Sequence, residues 1–282
     1  MILSIITVNY NNLDGLKNTR QSIINQSFKD WEWIVIDGGS TLGDKAFIEQ
    51  HSSEMAYWCS EPDHGPYNAM NKGINKASGD YYIFMNSGDT FFDSDVLTHV
   101  FNTPHTADII YGDWMQLFDN GEKRKMHAPK EFTIEFIQND NICHQAMFIK
   151  GSIMKQSPYD ESFRLYADWA KWIRLALQGC TFEYVPYTIC CFLMNGISIT
   201  QHELIEKEHR RLNDEVMPAL VTSMISRHQN TISKQEQTIA QLTGELASIN
   251  KWALEADRLI KKKKLYKKII HMAIRIIHLI DK

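Results

Sequence analysis

No uncharged apolar run in this chain of 282 residues is long enough to cross a bilayer, so no membrane-spanning helix is expected. Cysteine is scarce and unsuited to structural use. The five residues (Cys59, Cys143, Cys180, Cys190 and Cys191) are odd in number and show no zinc-type spacing. That argues against a disulfide framework and a zinc module, and predicts free thiols in a reducing cytoplasm. The first eight residues lack the basic leader of a secretory signal and run directly into Asn9-Tyr10-Asn11-Asn12, so the expected compartment is the cytoplasm. Positive charge is outnumbered over most of the chain. Residues 261–282 hold eight Lys and Arg against Asp281, a net +7, so the chain total of −4 leaves −11 on residues 1–260. Such an acidic body is a poor surface for nucleic acid, and only the tail seeks anions.

What is present is enough for a sizeable core: 44% of residues are hydrophobic, in one large or two small domains. Apolar runs alternate with helical patterns. Ile2–Val8 reads as a buried strand, followed by a helix from about Asp14 to Gln26. Trp33–Ile36 is the next strand, ending at Asp37-Gly38-Gly39-Ser40, with a helix running to about Gln50 and a short strand near Tyr57–Cys59. Pro66 suits the first turn of a helix that leads into a strand over Tyr81–Met85. This β-α-β-α order predicts a mainly parallel sheet with right-handed crossovers.

After Asp89 the pattern changes. Ala107–Tyr111, Ala146–Ile149, Phe182–Val185 and Thr188–Leu193 read as strands, Asp119-Asn120-Gly121 as a hairpin turn, and Asp168–Leu177 as a helix. From about Gln201 onward the chain reads as helical. The expected fold class is therefore α/β. A Rossmann-like, parallel half (1–92) is joined to a mixed-sheet half (93–200), then a helical and coiled-coil extension (201–260) and a basic helix (261–282).

Three carboxylates stand at element ends in this order. Asp37 closes the second strand, where an Asp beside Gly is either a turn former or an acceptor for a nucleobase or ribose. Asp89 follows the Tyr81–Met85 strand and is either a turn residue or a ligand for a hard cation facing a phosphate. Asp168 starts its helix, where an N-cap would contribute about 1 kcal/mol by itself. Each is weak alone. Together, at the ends of α/β elements, they outweigh the bland readings.

Ser4-Ile-Ile-Thr-Val-Asn-Tyr-Asn11, Ile36-Asp-Gly-Gly-Ser-Thr41, Asn71-Lys-Gly73 with Ala77-Ser-Gly-Asp80, and Ala167-Asp-Trp169 fall in the order and spacing of family 2 glycosyltransferases. The chain resembles bacterial members that build surface polysaccharides, over roughly residues 2–200, and the resemblance implies a GT-A fold. It implies Thr7, Asn9 and Asp37 around the nucleotide base and ribose, with Asp63 and Asn71 nearby. Asp89 would face a divalent cation, Mn²⁺ or Mg²⁺, on the donor diphosphate. Asp168 matches the general base that deprotonates the acceptor hydroxyl, a single displacement that inverts the anomeric centre. Such a base typically contributes about 10²–10⁴-fold. His144 and Gln145, before the Ala146 strand, are candidates to touch acceptor or phosphate, and a structural His is an even alternative. The pattern also departs from the family. The usual Asp-any-Asp metal signature reads Asn86-Ser87-Gly88-Asp89, with one acid. Leu42 stands where Asp usually follows Ser-Thr, and Pro66 and Asn68 replace the usual Ile and Asp.

The tail carries a separate pattern. Ile225, Ile232, Ile239, Leu246, Ala253 and Ile260 recur every seven residues, with Leu242, Ile249 and Ala256 between them; His228 and Gln235 interrupt the early steps. This predicts a self-associating coiled coil, dimer and trimer both open, in preference to a helix packed on its own domain. In Lys261–Lys282, Leu265, Ile269, Met272, Ile276 and Ile280 line one face, and Lys264, Lys268, His271, Arg275 and His278 the other. Such a helix suits anionic lipid, at about 1 kcal/mol per basic residue near the surface. The alternative is a solvated helix covering the acidic body. The expectation is an inverting transfer from a nucleotide-sugar, a UDP-sugar, to a lipid-linked oligosaccharide acceptor on the inner face of the cell membrane. A sugar nucleotidyltransferase and an inactive scaffold are the rival readings.

Overall fold

The computed structural model describes residues 2–194, 201–259 and 274–275. In chain order the first elements are β1 (Leu3–Asn9), α1 (Leu13–Ile24), β2 (Trp31–Asp37), α2 (Asp44–Gln50), β3 (Tyr57–Ser60), α3 (Pro66–Lys76) and β4 (Tyr81–Phe84). There follow β5 (Thr90–Phe91), α4 (Val96–Phe101), β6 (Ile109–Leu117), β7 (Lys123–Met126), α5 (Ile134–Asn139), β8 (Met147–Lys150) and α6 (Gly151–Gln156). The last are α7 (Ala167–Leu177), β9 (Phe182–Leu193), α8 (His202–Glu215) and α9 (Met217–Leu259). The chain divides into two compact units, Met1–Ser223 and Met224–Lys282. Thus α8 belongs with the sheet.

The described strands form one sheet in the order β3-β2-β1-β4-β8-β6-β9-β5, with β7 paired to β6. β1 runs parallel to β2 and β4, and β2 parallel to β3. Leu3, Ile5, Ile6 and Trp33 to Ile36 are fully buried, as expected of strands covered on both faces. β8 then runs antiparallel to β4 and β6, and β9 pairs parallel with β6. The parallel half followed by a mixed half matches the order expected from the sequence. Pro66 does occupy the start of α3, after Gly65 in the left-handed region at φ 123°.

Two strands expected over Phe182–Val185 and Thr188–Leu193 are a single strand, β9. Tyr111 faces Tyr184 and Asp113 faces Thr188, so Val185, Pro186 and Tyr187 stand opposite Gly112 in a register shift. That irregularity takes up the proline, which has no N–H for the ladder. β6 likewise continues past Tyr111, because the buried Asp113 carboxylate is satisfied by the Ala128 N–H (3.1 Å), the Tyr184 hydroxyl (3.1 Å) and His127 Nδ1 (2.9 Å).

Among the described residues no helix is long and apolar enough to cross a membrane. On α9, Ile232, Ile239, Leu242, Leu246 and Ile249 are 41–62% exposed, so the heptad stripe stands open where its side chains are described. Ile260 and most of the basic helix expected over 261–282 lie outside the described residues; Ile274 and Arg275 are helical and exposed. All five cysteines are free.

Candidate active site

The parallel strands all end on one edge of the sheet, where open α/β sheets receive ligands. Asp37, the last residue of β2, is fully buried. Its carboxylate accepts from Asn9 Nδ2 at 2.7 Å, the Ser60 hydroxyl at 2.6 Å, and the Ser40 N–H (2.9 Å) and hydroxyl (2.5 Å). Burial alone would push its pKa up, but the bonds from Ser40, Ser60 and Asn9 outweigh it and hold the carboxyl below its ordinary range. Asn9 ends β1 beside it and also reaches Asp44 Oδ1 at 3.0 Å. Asp44 in turn accepts from the Asn12 N–H at 2.9 Å, and Asn12 Nδ2 donates to the Ser87 carbonyl at 2.9 Å. A polar seam thus runs from β2 across β1 to the turn after β4.

That turn is Asn86-Ser87-Gly88-Asp89. Gly88 has φ 109°, and a Cβ there would meet Leu193 Cδ1 at 2.9 Å, so the turn needs glycine. Asp89 is buried and accepts from Gln145 Nε2 at 2.7 Å and the Leu193 N–H at 3.3 Å. Burial pushes its pKa up to about 6, against the opposing pull of Gln145, His144 and the Leu193 amide. Among the described residues no three His, Cys, Asp or Glu cluster as a metal site. However, Asn86 Oδ1, Ser87 Oγ and Gln145 Oε1 are buried without a partner in the protein. Hard oxygen donors of this kind with a single carboxylate fit a cation held largely by substrate phosphates.

The seam continues through His144. Its Nε2 is 3.0 Å from Asn86 Nδ2, and its Nδ1 is 3.2 Å from Asp168 Oδ2. With the amide so placed, Nε2 accepts and Nδ1–H donates to Asp168. Asp168 lies in the first turn of α7, and its Oδ1 accepts from the Trp169 N–H at 2.8 Å. The Tyr67 hydroxyl shares its proton between the Leu165 carbonyl (2.7 Å) and Asp168 Oδ1 (3.1 Å). Burial, then Asp168 and Tyr159, hold the Tyr67 phenol well above its ordinary pKa, so it stays a donor. Asp168 is therefore fixed from two sides by groups on α3 and on the turn before β8.

The remaining expected residues divide. Asp63 is near the Asp37 loop, since a Cβ on Gly38 would lie 2.6 Å from its Oδ2; its Oδ1 accepts the Gly65 N–H at 2.8 Å. Thr7 is fully buried with its hydroxyl accepting from Trp33 Nε1 at 2.9 Å. Asn71 clamps the chain before α7, donating to the Tyr159 carbonyl (2.9 Å) and Glu161 (2.8 Å) and accepting the Tyr159 N–H (2.9 Å). In this structure the polar atoms of Thr7 and Asn71 are occupied by protein partners.

A family model described as Glycosyl transferase family 2 matches residues 4–162. A Mycobacterium tuberculosis protein described as an uncharacterized glycosyltransferase is 33% identical over 222 residues, covering 75% of this chain and 83% of that one. The chain belongs to glycosyltransferase family 2. A putative teichuronic acid biosynthesis glycosyltransferase of Bacillus subtilis, TuaG, is 26% identical, covering 64% of this chain and 74% of TuaG. Among solved structures, Staphylococcus aureus TarS residues 1–349 with UDP superposes at a TM-score of 0.55 and 14% identity, over 77% of this chain and 73% of that one. The Pyrobaculum calidifontis mannosyltransferase PcManGT, with GDP-Man and Mn²⁺, does so at 0.52 and 13%, over 79% and 64%. The sheet is that of the GT-A fold, and the chain is a glycosyltransferase.

Sequence reasoning about this glycosyltransferase missed four participants. Ser60 merely ends a strand, and Tyr67 reads as a core aromatic until α3 is packed against α7. Asn86 was visible only as a missing acid. Asp44, two residues beyond Leu42, supplies a carboxylate to Asn9 and Asn12; in sequence it is one charge among several on a short helix.

Proposed function

We propose that this family 2 enzyme moves a sugar from a nucleoside diphosphate sugar, a UDP-sugar, to a hydroxyl of a lipid-linked oligosaccharide, inverting the anomeric carbon. The observation that carries the reading is Asp168: a carboxylate at the end of the polar seam, held by Tyr67 and Trp169 on one oxygen and facing His144 with the other. Asp37 and Asn9 would frame the base and ribose, with Asp63 at the rim. Asp168 would take the acceptor's hydroxyl proton as that oxygen bonds to the anomeric carbon; the opposite bond breaks and its electron pair leaves with the diphosphate. Asp89, beside Asn86 and Ser87, would hold a Mn²⁺ or Mg²⁺ ion whose charge offsets that gained by the leaving group. His144 orients Asp168, and Gln145 orients Asp89. The donor class is supported by solved relatives that bind UDP, UDP-GlcNAc or GDP-Man, and the role in surface glycan assembly by the teichuronic acid relative.

The acceptor class rests on the tail. The basic stretch 261–282 would hold the enzyme on the anionic inner leaflet, where lipid-linked sugars are met, and the exposed stripe of α9 would join copies of the chain as a dimer or trimer. Deleting 261–282 should shift the protein from membrane to soluble fractions, and unchanged partitioning rejects the anchor. The catalytic reading is tested by thermal shift and nucleotide release with UDP-glucose, UDP-N-acetylglucosamine and GDP-mannose, with and without Mn²⁺. Stabilisation by a UDP-sugar and release of UDP support it; pyrophosphate release from a nucleoside triphosphate with no response to any nucleotide-sugar contradicts it.

A further inference from the structure

Most charges on α8 face solvent, but Glu208 is 5% exposed. Its Oε1 accepts the Arg164 N–H at 2.7 Å, and its Oε2 accepts the Leu165 and Tyr166 N–H groups at 2.8 and 3.2 Å. These three residues lead directly into α7, whose N-cap, Tyr166, makes no side-chain capping bond. The first N–H groups of a helix and the turn before it need acceptors, and a negative charge there also suits the positive end of the helix dipole. A separate helix therefore holds the three residues that lead into the first turn of α7. The same grip extends back along the loop: Arg211 donates to the Ser162 carbonyl and hydroxyl, each at 2.9 Å, and lies over the Phe163 ring at 4.0 Å.

We propose that Glu208 is a positioning residue for the transfer reaction, setting the first turn of α7 and hence where the Asp168 carboxylate stands. The inference rests on the reading of Asp168 as the base. Asp168 Oδ1 is tied to the Trp169 N–H and Oδ2 faces His144 at 3.2 Å, so a small rotation of that turn displaces both oxygens together. Misplacement of a reacting group by about 1 Å can lower the rate roughly 10²-fold. On this account α8 is part of the catalytic machinery, although in sequence it opens the C-terminal extension.

The test uses the full-length chain with Glu208→Ala, Glu208→Gln and Asp168→Asn. UDP release from UDP-N-acetylglucosamine or UDP-glucose with Mn²⁺ gives kcat and KM, calorimetry gives UDP affinity, and amide exchange is followed over residues 164–170. Glu208→Ala should lower kcat roughly 10- to 100-fold with donor KM and UDP affinity unchanged, and speed exchange at 164–166. Glu208→Gln, which keeps one acceptor oxygen, should recover part of the loss. If the Ala variant does not fold, the Gln variant is read by the same kcat and exchange criteria. Wild-type kcat in a folded Glu208→Ala enzyme overturns the inference, as does a kcat loss matched by an equal loss of UDP affinity. Transfer surviving in Asp168→Asn would instead overturn the base assignment, leaving the two failures distinct.

Discussion

Asp89→Asn should make the protein more stable at pH 8 while removing the carboxylate proposed to hold the cation. The carboxyl is buried, and its pKa moves from 3.8 to about 6. That difference corresponds to about 3 kcal/mol favouring the protonated form in the folded chain. A folded-state value raised above the unfolded one stabilises fully below pH 3.8 and loses that contribution as pH rises through 6. At pH 8 the native state therefore carries the whole penalty, and Asn removes it. Asn keeps an oxygen for Gln145 Nε2 but not a second one for the Leu193 N–H, which costs about 1 kcal/mol. The expected net gain is about 2 kcal/mol at pH 8 and smaller at pH 5, where Asp89 is largely protonated in the native state. Urea titrations in EDTA at both pH values, followed by tryptophan fluorescence, measure it. An effect of the same size at pH 5 and pH 8 would refute the reasoning. A stabilised variant that has lost transfer would mark Asp89 as a charge kept for function at the expense of stability.

Three further outcomes are expected. Thr7→Val leaves Trp33 Nε1 without its 2.9 Å acceptor and should cost about 1–3 kcal/mol in urea titration, with UDP affinity by calorimetry unchanged; weakened UDP binding would put Thr7 in the donor site. Gly73→Ala places a Cβ 2.5 Å from Ile6 Cγ2, where α3 packs on β1. It should cost about 1–3 kcal/mol in thermal melts, and a neutral result would show that α3 shifts freely. His144→Ala removes the partner of Asp168 Oδ2 and should lower kcat at least about tenfold at constant donor KM in steady-state kinetics.

The parallel half was legible because parallel strands covered on both faces write themselves as nearly continuous apolar runs: Leu3–Asn9, Trp31–Asp37 and Tyr81–Phe84. Their ends carry Asn9, Asp37 and the turn to Asp89, so chemistry could be assigned to position along the chain. The mixed half was less so. Pro186 split β9 on paper because the sequence cannot show that Val185–Tyr187 face Gly112 across a register shift. The strand read over Ala107–Tyr111 stopped short of Asp113, because the partners of that carboxylate, Ala128 and Tyr184, are distant in sequence. Tyr67 and Glu208 meet the Asp168 region only through packing of α3 and α8 against α7. No local periodicity records those encounters. Helix α8 was grouped with the extension for the same reason, although its buried Glu208 and Leu212 tie it to the catalytic unit.

The central claim, that Asp168 is the base of a sugar transfer, is most directly tested by Asp168→Asn assayed for transfer and for UDP binding side by side. The amide keeps an acceptor for Tyr67 and the Trp169 N–H but cannot take the acceptor's proton. The account predicts unchanged UDP affinity with transfer lowered roughly 10²–10⁴-fold. Transfer at the wild-type rate with intact UDP binding would contradict it.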